Sequence, residues 1–327
     1  MNESLVHIGP EGKGTDSPHG PTIELNNILA PIDFSPASRQ GLAFAGDMAK
    51  QFQSRVHLLY VVEPPSLPQW GYAHLPTRDA KLRRAAEERM PQFRVESGID
   101  PTLVGSATVR SGGAEMEICE AAVERNADLI VVASHGLGGV KHALIGSTAE
   151  RVVRHAPCPV LTVRDRVLPK DGTERPYFAP KRILVTTDFS EASKKAFPYA
   201  AALARKYEAL LVLAYVVPGQ FPAEASYAGI MVEEDRMLSK AREELPRFRA
   251  VELDPHLRVE TMVLNGNAAF EICAAAENEN ADLVVISTHG HAGLKRFLLG
   301  SVTEDVVTNA PCPVLVVRER EHEFLKA

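Results

Sequence analysis

Short apolar runs alternate along the chain with stretches in which apolar positions recur at helical spacing. "NILAPID" predicts a strand ending at Asp33, and Ser35 stands as the cap of a helix with Pro36 in its first turn. Leu42, Ala45, Met48, Ala49 and Phe52 fall on one stripe of that helix. "RVHLLYVV" predicts the next strand, followed by a charged helix from about Arg78 to Val95, a strand near Thr102–Val109 and the helix "AEMEICEAAVER". "DLIVVAS" is apolar on both faces, as a strand buried between two helix layers requires. A short helix from Ser147 and the strand "PVLTV" close the unit.

The same order is then written a second time. "PIDFSPAS" at Pro31 returns as "TTDFSEAS" at Thr186, "MPQFR" at Met90 as "LPRFR" at Leu245, and "NADLIVVASHG" at Asn126 as "NADLVVISTHG" at Asn280. "EIC" recurs at Glu117 and Glu271, and "APCPVLTVR" at Ala156 matches "APCPVLVVR" at Ala310. This is a duplication of one domain. The expected division is a disordered tail over 1–23, domains over 24–165 and 180–318, a linker rich in charge, Gly and Pro over 166–179, and a C-terminal tail over 319–327. Strands alternating with helices, and strands without polar interruptions, predict a parallel α/β sheet covered on both sides in each domain. Ligands of such sheets sit beyond the carboxyl ends of the strands, where strand order reverses. The loops after Asp33 and after Ser134 are therefore the ones that matter.

Composition narrows the function classes. The chain has 327 residues, 45% hydrophobic and 24% charged, as in a soluble globular protein with two cores. A net charge of −6 argues against nucleic acid as a partner. The first residues lack the apolar core of a secretory signal, and "ALLVLAYVV" is too short to cross a bilayer, so a cytoplasmic location without membrane contact is expected. Cys119, Cys158, Cys273 and Cys312 include no Cys-x-x-Cys pair and read as small reduced core residues.

The candidate chemistry lies in "SHGLGGVKHALIGSTAERVV", from Ser134, and "THGHAGLKRFLLGSVTEDVV", from Thr288. Gly146 precedes a helix whose N-terminus offers backbone N–H groups and the positive end of a dipole, a setting that favours an anion. Glycine admits a close approach to the backbone and tolerates positive φ. Ser147 and Thr148 add hydroxyls, Gly136 permits a sharp exit from the strand, and Lys141 supplies a cation for an outer phosphate. Gly290, Lys295, Gly300 and Ser301 repeat these roles, with Val302 in place of the threonine. An ordinary capped helix after an ordinary turn is the competing reading.

An Asp at the end of the first strand, Gly-x9-Gly-Ser after the fourth and a Pro-Cys-Pro-Val final strand together resemble the universal stress protein family. The likeness covers about residues 24–165 and 180–318. It implies two tandem doubly wound, Rossmann-like domains, each a five-stranded parallel sheet of order 3-2-1-4-5. It also implies pairing through the final strands, so that the halves form an intrachain pseudo-dimer and whole chains associate as a homo-oligomer. The ATP-binding branch of the family carries Gly-x2-Gly-x9-Gly-Ser/Thr. Its first glycine falls on Ala133 and Ser287, a departure in both copies, while its base-side positions map to Asp33 and Val61 and to Asp188 and Val216. Pro31 and Thr186 stand beside them on the first strands. The expected ligand is ATP or a related adenine nucleotide, with Mg as an optional companion, in a stress-response sensor or switch. An interaction scaffold with empty sites is the alternative, and a weak ATPase or phosphotransfer enzyme ranks below it.

No base–nucleophile pair is visible, so strong catalysis is not expected. Asp33 and Asp188 read as acceptors for the ligand or as turn-stabilising residues. His135 and His289 lack matched companions for a metal, since His142 and His291 stand at different offsets. "GLGGVK" does not fit a dinucleotide fingerprint, "GPEGKGT" does not fit a P-loop, and "SGG" at Ser111, which becomes "NGN", reads as a turn. Tyr72 and Tyr227 occupy equivalent places in long loops that suit a contact surface.

Overall fold

The computed structural model describes residues 21–64, 75–134, 146–164, 178–219, 227–288, 300–318 and 321–326. Described residues of 24–178 and 321–324 form a first compact unit, and those of 179–318, with 21–23 and 325–326, form a second. After a short strand β1 (Thr22–Ile23), the first unit runs β2 (Asn27–Ile32), α1 (Pro36–Phe52), β3 (Arg55–Val62), α2 (Leu75–Ser97), β4 (Val104–Ser111), α3 (Ala114–Glu124), β5 (Leu129–Ala133), α4 (Ser147–His155) and β6 (Val160–Val163). The second runs β7 (Arg182–Thr187), α5 (Glu191–Lys194), α6 (Ala196–Tyr207), β8 (Leu210–Pro218), α7 (Tyr227–Glu252), β9 (Val259–Gly266), α8 (Ala268–Asn278), β10 (Leu283–Ser287), α9 (Ser301–Asn309) and β11 (Val314–Val317). Strand β12 (Leu325–Lys326) pairs antiparallel with β1.

Within the first unit the strands are parallel in the order β4-β3-β2-β5-β6, and within the second β9-β8-β7-β10-β11. Counted inside each unit, both are 3-2-1-4-5, the order the resemblance implies. Right-handed crossovers explain the layers: α1 and α2 carry the chain one way along the sheet, α3 and α4 the other, so the pairs cover opposite faces. The buried strands carry the core. Leu129, Ile130 and Val131 in β5, and Leu283, Val284 and Val285 in β10, are at most 1% exposed. Asp128, just before β5, accepts the amides of Asn26 and Asn27 at 2.7 and 2.8 Å. Asp282 accepts those of Lys181 and Arg182 at 2.8 and 3.0 Å, which gives the repeated "NAD" a role at the entry to each central strand pair.

Several boundaries differ from expectation. The third strand begins at Val104, because Asp100 accepts the Thr102 amide at 2.8 Å and turns Pro101–Leu103 into a 3-10 helix. The charged helix is longer, Leu75–Ser97. The first helix of the second copy breaks at Lys195 into α5 and α6. Part of the expected tails is ordered by pairing: Thr22 and Ile23 form β1, while Phe324, 2% exposed, accepts the Glu24 amide at 2.8 Å. His322 donates its amide to Pro157 O at 2.7 Å, and its Nε2 meets Asp128 Oδ1 at 2.8 Å. Among the described residues, no helix is long and apolar enough to cross a membrane.

Candidate functional site

β2 and β5 are neighbours in the sheet, but α1 leads from β2 to β3 and α4 leads from β5 to β6. Their carboxyl ends are followed by connections that diverge, which opens a crevice at the switch point. β7 and β10 repeat this arrangement.

Asp33 directly follows β2, and its Oδ1 accepts the Ser35 amide at 2.9 Å. Ser35 Oγ in turn accepts the Ser38 amide at 3.0 Å and caps α1, as its position predicts. Asp188 Oδ1 accepts both the amide and the hydroxyl of Ser190, at 3.0 and 2.5 Å. The turn-stabilising reading of both carboxylates is therefore met at Oδ1. Each turn places a phenylalanine in the left-handed region, Phe34 and Phe189 both at φ 63°. Such a conformation is costly for a bulky residue. Ring packing offsets it: Phe34 stacks on Tyr60 at 4.7 Å and meets Phe93 edge-on at 5.3 Å, while Phe189 lies 4.4 Å from Tyr215 and 5.0 Å from Phe248. Burial, then the nearby Asp33, pushes the Tyr60 hydroxyl pKa up.

The other wall is the start of α4. Gly146 caps it at φ −60° and donates its amide to Ser134 O at 2.7 Å. Gly300 caps α9 at φ −61° and donates to Thr288 O at 3.0 Å. Neither glycine uses the positive φ that its residue type tolerates. At Gly300 the need is space, because a Cβ there would lie 2.9 Å from Thr288 O. Among the described residues no side chain caps either helix start, an arrangement in which first-turn amides suit an anion. Ser147 and Ser301 are exposed, Thr148 is half-buried, and Val302 is 36% exposed.

The remaining positions fall into the same ends of the sheet. Ala133 and Ser287 are the last residues of β5 and β10, paired with Val163 and Val317. Neither has positive φ, so the departure from glycine carries no backbone strain. Pro31 and Thr186 lie near the ends of β2 and β7, and Val61 and Val216 near those of β3 and β8. Gly136, Lys141, Gly290 and Lys295 lie outside the described residues, as do His135, His142, His289, His291 and Tyr72. Tyr227 is the first residue of α7.

The aromatic shelf of Phe34, Tyr60 and Phe93 escapes a reading of motifs one at a time, although the repeats of "DFS" and of Phe93 as Phe248 are its signal. Sequence reasoning also misses a chain of polar side chains. His57 Nδ1 lies 2.8 Å from Ser106 Oγ, and its Nε2 lies 3.2 Å from Asn27 Oδ1. It sits toward the amino ends of β2 and β3, away from the crevice, and the second copy has Val212 in place of the histidine. A depression of about 430 Å³ in the second unit, lined by Lys181, Arg182, Arg258, Glu279 and Asp282, also lies at the amino ends of the strands. Its Arg182 is ion-paired with Glu279 and Glu260, and it is not part of the candidate site. Among the described residues, no group of three His, Cys, Asp or Glu could hold a metal. Among the described residues no disulfide forms, so all four cysteines are thiols, and burial pushes the Cys158 thiol pKa well up.

Comparison with known proteins supports the resemblance. The model of the universal stress protein family matches residues 24–164 and 180–318. A universal stress protein of Methanocaldococcus jannaschii is 36% identical over 147 residues, which cover 44% of this chain and 85% of that protein. One from Mycolicibacterium smegmatis is 26% identical over 301 residues, covering 90% of this chain and 97% of its own. A solved universal stress protein from Archaeoglobus fulgidus shares the fold, with a TM-score of 0.60 at 22% identity, over 90% of this chain and 99% of that one.

Proposed function

The chain belongs to the universal stress protein family, and on that premise we propose that it binds ATP, or a related adenine nucleotide, at the switch point of each unit. The observation that carries this reading is the pair of helix starts at Gly146 and Gly300, which no described side chain caps, tied to the ends of β5 and β10. In this reading the same crevice takes the carboxylate of Asp33 or Asp188, which follows the neighbouring strand. The first-turn amides, with Ser147 and Thr148 or with Ser301, suit a phosphate, and the strand-end carboxylates suit the ribose or base. These groups fit the nucleotide without a metal, and Mg would enter only as its counter-ion.

The role is that of a cytoplasmic sensor or switch, in which the nucleotide shifts the population of conformations. No catalytic step is assigned. Oδ1 of each aspartate is engaged in its turn, and the His57–Ser106 pair lies toward the other end of the sheet. Pairing of the halves and association of whole chains belong to the same reading, and the mass of the particle in solution tests the latter.

The test is to denature protein purified without added ligand and to identify any released nucleotide by mass and amount, with ATP calorimetry on the emptied chain. One or two bound equivalents support the proposal. Absence of released nucleotide together with no binding heat at several temperatures would sink it and leave the scaffold reading.

A further inference from the structure

The duplication allows the two sites to be compared residue by residue, and their charges differ. With "MPQFR" aligned on "LPRFR", Arg89 corresponds to Glu244. In the first unit Arg89 Cζ lies 4.9 Å from the centroid of the Phe34 ring, the residue next to Asp33. It is exposed, and among the described residues no carboxylate pairs with it. In the second unit the same shelf is built from Phe189, Tyr215 and Phe248, but the helix above it carries Glu244, whose ion pair is with the exposed Lys240 at 3.7 Å.

Both side chains act on the site's aromatic shelf. The Tyr60 hydroxyl is raised by burial and by Asp33, and Arg89 opposes them. The Tyr215 hydroxyl is raised by burial, by Asp188 and also by Glu244. Among the described residues of the second unit, Lys194 lies 5.7 Å from the Phe248 ring and is already held by Glu191 at 2.6 Å and Glu252 at 2.9 Å. Its counterpart Arg39 has a looser contact with Glu96, at 3.9 Å. Among the described residues, the first shelf therefore carries a cation where the second carries a carboxylate.

We propose that the two sites select ligands by charge: the first, with Arg89 over the Phe34 ring that follows Asp33, takes the polyanionic nucleoside triphosphate, and the second, with Glu244 at the equivalent helix position, favours an adenine ligand of lower charge, such as the nucleoside or its monophosphate. This rests on the nucleotide reading above. Across solvent, one such charge acting on a triphosphate changes affinity roughly three- to tenfold, and added salt screens the effect.

The experiment is calorimetric titration of the full chain, emptied of ligand, with ATP and separately with adenosine, at low and high salt. Arg89→Glu and Glu244→Arg change exposed positions and serve as the variants. ATP should bind in two steps that differ roughly three- to tenfold and converge at high salt. Glu244→Arg should tighten the weaker step, Arg89→Glu should weaken the tighter one, and adenosine should respond to neither. Two equal ATP steps unmoved by either variant would overturn this inference while leaving the nucleotide reading intact. A single ATP step that responds to Glu244→Arg and not to Arg89→Glu would overturn it as well. Failure of both ATP and adenosine to bind would instead remove the reading on which it rests.

Discussion

The amide of Gly300 donates to the carbonyl oxygen of Thr288 at 3.0 Å, and a Cβ on that glycine would lie 2.9 Å from the same oxygen. The start of α9 is thus held against the end of β10 by a contact that only glycine permits. Gly300→Ala must push the helix start away from the strand. The expected cost is about 1–3 kcal/mol, as for other overpacked sites, read as a lowered urea midpoint. ATP binding in the second unit should weaken with it, because the first-turn amides would move.

Asp33 allows the structural and ligand-binding roles to be separated. Asp33→Asn keeps an Oδ1 acceptor for the Ser35 amide and removes the charge, whereas Asp33→Ala removes both. The alanine variant should lose about 1–2 kcal/mol through the unmade hydrogen bond and the released turn, and the asparagine variant much less. Equal loss of stability in both variants would show that the charge, rather than the turn, is what the fold uses. Adenine-nucleotide affinity, compared in the asparagine variant at unchanged stability, then reads the role of the charge alone.

His57 adds a pH dependence. Burial, and then the positive charge of Arg125, hold its imidazole below the ordinary value of about 6.5. In the window between the two values the unfolded chain binds the proton and the folded chain does not, so stability rises with pH there. The contribution is complete above about pH 6.5 and is lost as pH falls through the depressed folded value. His57→Gln should flatten this part of the stability profile between neutral and mildly acid pH. The difference should stay below about 1 kcal/mol, since the ring is only half-buried. An unchanged acid slope would remove His57 from the account.

Gln53 ends α1 at φ 58° and is exposed. A left-handed residue at a helix end is ordinarily glycine. Gln53→Gly should therefore stabilise the chain by up to about 1 kcal/mol, seen as a higher urea midpoint. Glu208, at φ 53° after α6, is the matching position, and Glu208→Gly should behave alike.

The alternation of strands and helices was readable because it is a local property: a run such as Leu129–Val132 declares its burial on both faces, and Ser35 with Pro36 declares a helix start. Element ends were less legible. β4 starts late because Asp100 closes a turn, and the split at Lys195 is marked only by Pro198, which has no N–H for the carbonyl of Lys194. The candidate site divided in the same way. Asp33, Gly146 and Ser147, with their second-copy partners, stood out as repeated motifs. The shelf made by Phe34, Tyr60 and Phe93 draws on three separate elements and appears only when they pack.

By itself, the sequence determined the duplication, the parallel α/β class and the positions of the strand-end aspartates and helix-start glycines, because repeat, periodicity and capping chemistry are written in consecutive residues. The tertiary structure decided why Gly300 must be glycine, which is the approach of a distant carbonyl rather than a left-handed backbone. It also decided that Phe34 turns left-handed onto Tyr60, that Arg89 stands over the Phe34 ring, and that Phe324 and His322 join the first unit. Each of these depends on atoms brought together from far apart in the chain, and a contact of that kind exists only once the sheet has set the distance between them.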